Sequence, residues 1–487
     1  VIATYILKGI IKTIFFLMAI LFLAACSRKK NTFLSRSKHS ITTKYNILFN
    51  GNIAFEEGKL QLASSYRDNF WEILPVERLE LEESSLLSGE SKNENFNKAE
   101  EKAAKGVQKH AIFLEGKEYN PQIDEAYILL GKARYYDGRF VQALDAFNFI
   151  LKTYPTSNSI NQAKVWKAKT NIRLNNEEVA IENLKKMFEK NQIDKDELAD
   201  AAGILSQAYI NLDSLDVALP YMKFAAENTK NNELKGRYTY ITAQLYDKLE
   251  KIDSANLEFD KVIALNRKSP RVYMINAHIE KAKNLLISWG LNVVLGENVF
   301  NQNNHFAGTD DERCEDLQEA LDNPKISAIW CARGGYGTVR ILDKLDYSTF
   351  KQNPKWLIGY SDITALHNQI HNEGVESLHA IMCVSLPEDE SEIQASISTF
   401  KNTLFGTPLS YILEGSNYNK TGTTSGQLVG GNLTMIHTLL GSKTSIDTSG
   451  KILFIEEIGE YKYHIDRMLQ SLKRAGYFDN CKGLIVG

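Results

Sequence analysis

The feature that most constrains this chain is a spacing. Ala143, Ala180, Ala218 and Ala255 recur at steps of 37, 38 and 37 residues, and the large apolar residues four places on, Phe147, Leu184, Met222 and Phe259, keep the same steps. A small residue lets two helices approach, and a large one fills the gap between neighbours. Between them lie short polar clusters, Asn175-Asn176, Asp213-Ser214 and Lys251-Ile252-Asp253, which suit turns. The stretch from about Ile123 to Asn266 therefore reads as repeated units of helix, turn and helix, whose apolar faces are covered only when the units stack. A plain helical bundle with accidental spacing is the competing reading, and the two matched series of positions weigh against it.

The first unit, EAYILLGKARYYDGRFVQALDAFNFILKTYP, carries Gly131, Tyr135, Gly138, Ala143, Phe147 and Pro155 where tetratricopeptide repeats place such residues, and so resembles them. Two earlier segments, TKYNILFNGNIAFEEGK and DNFWEILPVE, resemble the front part of tetratricopeptide lipoproteins of bacterial gliding motility and protein secretion. That resemblance covers roughly the first half of the chain. It implies an α-helical tetratricopeptide solenoid over residues 121–277, preceded by a helical lead-in and linker over 26–120. Such a solenoid has no chemistry of its own and offers a face to a protein or peptide partner that the sequence does not name.

At the amino terminus Lys8 and Lys12 precede an apolar run from Ile14 to Phe22, followed by Leu23-Ala24-Ala25-Cys26. This is the pattern of a signal peptide over residues 1–25. Small residues ahead of a cysteine resemble the bacterial lipobox, which implies lipidation at Cys26, a membrane anchor, and a mature chain facing the periplasm or cell surface. A transmembrane anchor is the alternative, but the run is shorter than the roughly 20 apolar residues that a spanning helix needs. The five cysteines form no CxxC pair, so neither a zinc site nor a disulfide framework is expected. With a formal charge of −3 and no interleaving of aromatic and basic residues, nucleic acid is an unexpected partner.

After Trp289-Gly290 short β-branched runs, Leu291 to Leu295 and Ile326 to Trp330, alternate with helical segments, which marks an α/β domain. Within it, residues 355–366 read as an apolar strand, a Gly-containing turn, Ser361 and a helix. A serine on a sharp strand-to-helix turn projects its hydroxyl outward, while the helix amino terminus aims backbone N–H groups at developing negative charge. An ordinary helix N-cap is the bland alternative for Ser361. Upstream, Ile329 to Gly337 is another strand and Gly-rich turn. Alone it could cradle a phosphate, but no Walker-type Lys-Ser/Thr follows, and the other use is an oxyanion hole beside Ser361.

Five ordered segments, Phe306 to Arg313, Trp330 to Gly337, Gly359 to Thr364, Gly430 to Leu433 and Leu453 to Glu457, together resemble the LD-carboxypeptidase and microcin-immunity serine peptidase family, from about His278 to Gly487. The resemblance implies an α/β domain with a flavodoxin-like parallel sheet over 278–400 and a β-rich C-terminal part over 401–487. It implies hydrolysis of murein or microcin-like peptides by a Ser-His-Glu triad. Ser361 would attack the carbonyl, and the N–H of Asp362 with one from Gly334 or Gly335 would hold the oxyanion. Arg333 lies on the same substrate-binding turn. Glu456 would orient the histidine, with Glu457 pointing to the opposite face. No cofactor or metal is implied, and a homodimer through this domain is an expectation from the family.

The pattern also departs from the family. Its catalytic histidine follows the acidic member, and no residue after Glu456 fits that segment. His464 and His437 read as structural or exposed, and His367 with His371 as a solvent-facing pair. The opening strand of the family is replaced by repeat-like sequence, Asn266 to Ala277, and Leu378 to Met382 stands where the family has His-Gly-Pro. Three readings stay open: a membrane-tethered murein hydrolase, a lipoprotein scaffold for a secretion or gliding complex, and two incomplete genes joined as one, the peptidase part being cytoplasmic in its relatives.

Overall fold

The computed structural model describes residues 31–80, 93–189, 193–387 and 390–487; the expected signal peptide and Cys26 lie outside the described residues. The chain divides into two compact units, residues 1–251 and 252–487.

The first unit is helical. Helices Phe49–Ser65, Glu94–His110, Ile123–Tyr136, Phe140–Thr153, Ile160–Arg173, Glu177–Phe188, Lys195–Asn211, Leu215–Asn228 and Asn232–Lys248 follow one another, each packed on the next. The periodic alanines do what their size allows: Ala143, Ala180 and Ala218 are fully buried, with Phe147, Leu184 and Met222 beside them in the interior. Gly131 shows how tight the approach is, since a Cβ there would lie 2.4 Å from the Phe147 ring. The turns repeat as well. Gly138, Asn175, Asp213 and Glu250 all have positive φ, near 80°, 56°, 55° and 57°, and they recur at the same steps of 37, 38 and 37 residues. In the last turn the left-handed residue is thus Glu250, one place ahead of the cluster anticipated from sequence.

The lead-in is not a linker. The long helices Phe49–Ser65 and Glu94–His110 belong to the core, in which Phe96 and Ala99 are fully buried, and a hairpin of β1 (Phe113–Leu114) and β2 (Lys117–Glu118), with Phe113 half-exposed, follows them. Residues 66–80 between those helices form no helix or strand, yet Phe70, Leu74, Val76 and Leu79 are buried too.

The second unit begins with helices Ile252–Leu265 and Arg271–Ser288. The latter runs unbroken across positions 277 and 278, where the sequence suggested a domain boundary. Two three-stranded parallel sheets follow. One has the order β3 (Ala328–Trp330), β4 (Trp356–Gly359), β5 (Leu378–His379), and the other β6 (Leu428–Asn432), β7 (Ile452–Glu456), β8 (Gly483–Val486). The run Leu291 to Leu295 forms no strand; among the described residues it has no neighbour to pair with. The C-terminal part is parallel α/β rather than β-rich, because helices Leu433–Thr438 and Lys462–Arg474 connect its strands and cover Leu453 and Ile455. Helix Thr364–Asn372 leaves β4 and packs against β6.

The packing at Gly131 yields a direct check. Gly131→Ala should destabilise the chain by about 1–3 kcal/mol through overpacking, read as a fall in the urea midpoint. Adding Phe147→Leu should recover part of the loss, whereas additive losses in the double variant would show that the two sites do not share the contact.

Candidate active site

The site gathers where the strands end. β4 is the middle strand of its sheet, buried from Leu357 to Gly359, and the chain leaves it through Tyr360 in extended conformation. Ser361 then takes φ +62°, a left-handed conformation that costs a side-chain-bearing residue about 1–2 kcal/mol. A single turn over Ser361–Ile363 leads into helix Thr364–Asn372.

Several contacts hold that corner. The Gly359 carbonyl accepts from the Ala380 N–H at 3.1 Å and from His367 Nε2 at 2.9 Å. Because a carbonyl can only accept, Nε2 carries the imidazole proton, and Nδ1 accepts from the Ser377 hydroxyl at 2.8 Å. Asp362 is buried and accepts the Thr338 N–H at 2.8 Å, tying the corner to the Gly-rich turn. A Cβ on Gly334 would lie 3.1 Å from that of Ser361 and 3.2 Å from the Tyr360 carbonyl, so the turn backbone lies directly against the serine. Gly335, with φ +105°, completes the bend. Among the described residues the backbone N–H groups of Asp362 and Gly335 donate to no protein acceptor. Arg333 is exposed on the same turn, and partial loss of water around it, with Arg271 nearby, lowers its guanidinium below its usual range.

The first of the five sequence segments braces this turn. Thr309 and Glu312 form a reciprocal cap on helix Asp310–Asp322. Asp310 pairs with both Arg313 and Arg340, whose guanidinium groups lie 5.2 and 5.4 Å from the Phe306 ring. Phe306 in turn packs against Tyr336.

The second sheet reaches the same place. In parallel register Asn432 stands opposite Glu456 at the ends of β6 and β7, and the Asn432 N–H donates to Thr364 Oγ1 at 3.0 Å, three residues past Ser361. Gly430 and Gly431 permit this closeness: a Cβ on Gly430 would fall 1.9 Å from the Phe454 carbonyl, and one on Gly431 2.5 Å from Thr364 Oγ1. The two acidic residues part company. Glu457 accepts from Thr434 N–H and Oγ1 at the start of helix Leu433–Thr438. Glu456 has a buried Oε1 with no hydrogen-bond partner in the protein, and burial, with Glu457 beside it, raises its carboxyl.

One histidine sorts differently from expectation. His367 is buried and bonded at both ring nitrogens, not solvent-facing; the apolar face of its helix turns it toward β4. His464 is partly exposed and paired with Glu460. His379, which lies where the family has His-Gly-Pro, stands exposed opposite Gly359 in the register, its ring 6.1 Å from that of Tyr360 and 5.2 Å from that of Phe454. Cys331 and Cys383 are no candidates for nucleophiles, since burial pushes both thiols up to about 12.

A strained serine at a strand-to-helix corner, with free N–H groups beside it and a carboxylate on the adjoining sheet, defines a site of the serine-hydrolase class. The LD-carboxypeptidase N-terminal domain matches residues 262–380 and the C-terminal domain 425–487. A Bacillus subtilis relative named "Probable murein peptide carboxypeptidase" is 41% identical over 203 residues, covering 40% of this chain and 63% of the relative. A Synechocystis relative is 33% identical over 211 residues, covering 43% of this chain and 68% of that protein. The crystal structure of muramoyltetrapeptide carboxypeptidase from Oxalobacter formigenes is 31% identical and aligns over 44% of this chain and 72% of its own, with a TM-score of 0.41. The chain belongs to the LD-carboxypeptidase family.

The buried imidazole gives the site a pH signature. His367 is pulled down to about 4 by burial, against about 6.5 in an unfolded chain. Between those values the unfolded state binds the extra proton, so stability is fully present above about pH 6.5 and falls as pH drops toward 4, by on the order of 3 kcal/mol. His278, also lowered to about 4 by burial and Lys281, adds to the same slope. Thermal denaturation from pH 7 to 4 should show His367→Gln with a lower melting temperature at pH 7 and a shallower acid dependence than the parent chain.

Proposed function

We propose that residues 262–487 form a serine-type carboxypeptidase unit acting on murein peptides, with Ser361 as nucleophile. The observation that carries this reading is the left-handed backbone at Ser361, a conformation with a cost that a mere helix cap would not require. In this reading the hydroxyl attacks the peptide carbonyl, and the N–H groups of Asp362 and Gly335 receive the oxyanion. Arg333, exposed on the turn, meets the terminal carboxylate of the substrate. Glu456 supplies the orphaned acceptor for an imidazole N–H. That imidazole comes either from the segment which in the family follows the acidic member, or from His379.

The substrate class is taken from the names of relatives, such as the murein tetrapeptide carboxypeptidase of Pseudomonas aeruginosa, 33% identical over 192 residues. The helical half is proposed to be a tetratricopeptide solenoid that docks a protein partner, with Cys26 as a lipid anchor on the membrane. The repeated left-handed turns at Gly138, Asn175, Asp213 and Glu250 support the solenoid reading.

Release of D-alanine from a murein tetrapeptide tests the proposal. Ser361→Ala should abolish it, and Ser361→Gly should abolish it while stabilising the fold by about 1 kcal/mol through relief of the left-handed strain. A Ser361→Gly chain that is less stable than its parent would remove the strained-nucleophile argument. If the intact chain is inactive and gains activity when supplied with the Gly-His segment of the family, the base lies in that segment. Loss of activity in His379→Ala with an unchanged melting temperature would assign it to His379.

A further inference from the structure

The extended segment 66–80 crosses the helical array in an ordered way. Asp68 makes a bidentate pair with Arg237 at 2.8 and 3.0 Å, and Phe70 meets the Tyr240 ring edge-on at 5.4 Å. The Glu72 carbonyl accepts from Gln244, whose amide oxygen accepts the Leu74 N–H at 3.0 Å. Arg237 donates to the Pro75 carbonyl, and Gln207 accepts the Val76 N–H at 2.7 Å. Glu77 ends the series, bonded by the Tyr135 and Tyr136 hydroxyls and facing Lys169 at 3.7 Å and Arg173 at 3.5 Å. From Glu72 to Glu77 the partners move back along the chain, from 244 through 237, 207 and 169 to 135.

The residues that meet it are themselves periodic. Gln244, Gln207, Lys169 and Lys132 recur at steps of 37, 38 and 37, the register of the buried alanines, and the first three meet residues 72–77. Two of them accept N–H groups two residues apart, the spacing of alternate residues in an extended chain. Four of these bonds go to the backbone of the segment, and another extended peptide would offer the same groups. Its specific features are few: an aspartate, an aromatic residue, an aliphatic step across a proline, and a glutamate. Burial alone would raise the Glu77 carboxyl, but Lys169 and Arg173 outweigh it and hold it below the usual range. The fourth position, Lys132, lies 5.2 Å from the Trp166 ring that also carries Lys169 at 4.4 Å, and among the described residues it has no ion-pair partner. Burial and the neighbouring Lys169 lower its ammonium to about 8.

We propose that this face is a peptide-binding surface occupied in cis by residues 68–79, and that an extended segment of a partner protein displaces them. That partner segment carries an aspartate for Arg237, then an aromatic residue, Leu-Pro-aliphatic and Glu in the same order, with a second acidic residue beyond, which reaches Lys132. The proposal stands independently of the peptidase reading, and D-alanine release is no part of its test.

A fluorescent peptide of residues 66–80 is titrated into the intact chain and into Glu77→Ala, which loosens the internal segment. Binding at least tenfold tighter to Glu77→Ala than to the parent, and lost when the glutamate in the peptide matching Glu77 becomes glutamine, is the expected result. A Glu77→Ala chain with unchanged helical circular dichroism that binds no peptide overturns the proposal. Should that variant fail to fold, hydrogen exchange on the parent chain decides: the Leu74 and Val76 amides should exchange at least tenfold faster than those of Tyr240 and Ile241, through local opening. Exchange of all four together, only on global unfolding, sinks it.

Discussion

The peptidase half depends on one backbone corner being held in a conformation it would not choose. Ser361 can keep φ +62° only because the residues on both sides are fixed: Gly359 by its place in the central strand and by the His367 imidazole, Asp362 by the Thr338 amide, and Ile363 by burial in the core. A corner of this kind is over-determined, and the burial of Ile363 in the turn and of Leu366 and Ile370 on the following helix offsets its strain. The glycines nearby serve the same end. Gly334 lets the neighbouring turn touch the serine, while Gly430 and Gly431 let the second sheet close on Thr364.

The helical half works by a related rule, with side chains supplying what a backbone lacks. An extended segment has no ladder of its own, so its N–H and C=O groups must be met from outside once it is buried. Glutamines one unit apart do this at Leu74 and Val76, and Arg237 does it at Pro75. The solution repeats because the helices repeat. A single sequence register thus sets three things: the buried alanines, the left-handed turns, and the row of side chains facing residues 66–80.

What the sequence made legible follows from which signals are local. The strand, turn and helix around Ser361 could be read because apolar run, glycine and helical pattern lie next to one another, and the repeat because it recurs. The packing of His367 could not be read. Residues four apart on a helix share a face, but the pattern does not say whether a sheet covers that face, and here β4 does. Residues 68–77 were readable only as a resemblance, since an extended segment held by distant side chains leaves no periodicity of its own. Leu291 to Leu295 has strand-forming residues, yet a strand exists only with a partner, and partners are a property of the whole fold. Which group meets Glu457 was not readable for a related reason: its carboxylate is claimed by a helix start that only the folded chain brings there.

The order β3, β4, β5 leaves β3 at the rim, facing no other strand among the described residues, with Ala328 exposed. Unmatched donors and acceptors along a rim are a template for any extended chain, including another copy of this one. The sheet that is so firmly braced at its central strand therefore carries a margin where strand addition is chemically open.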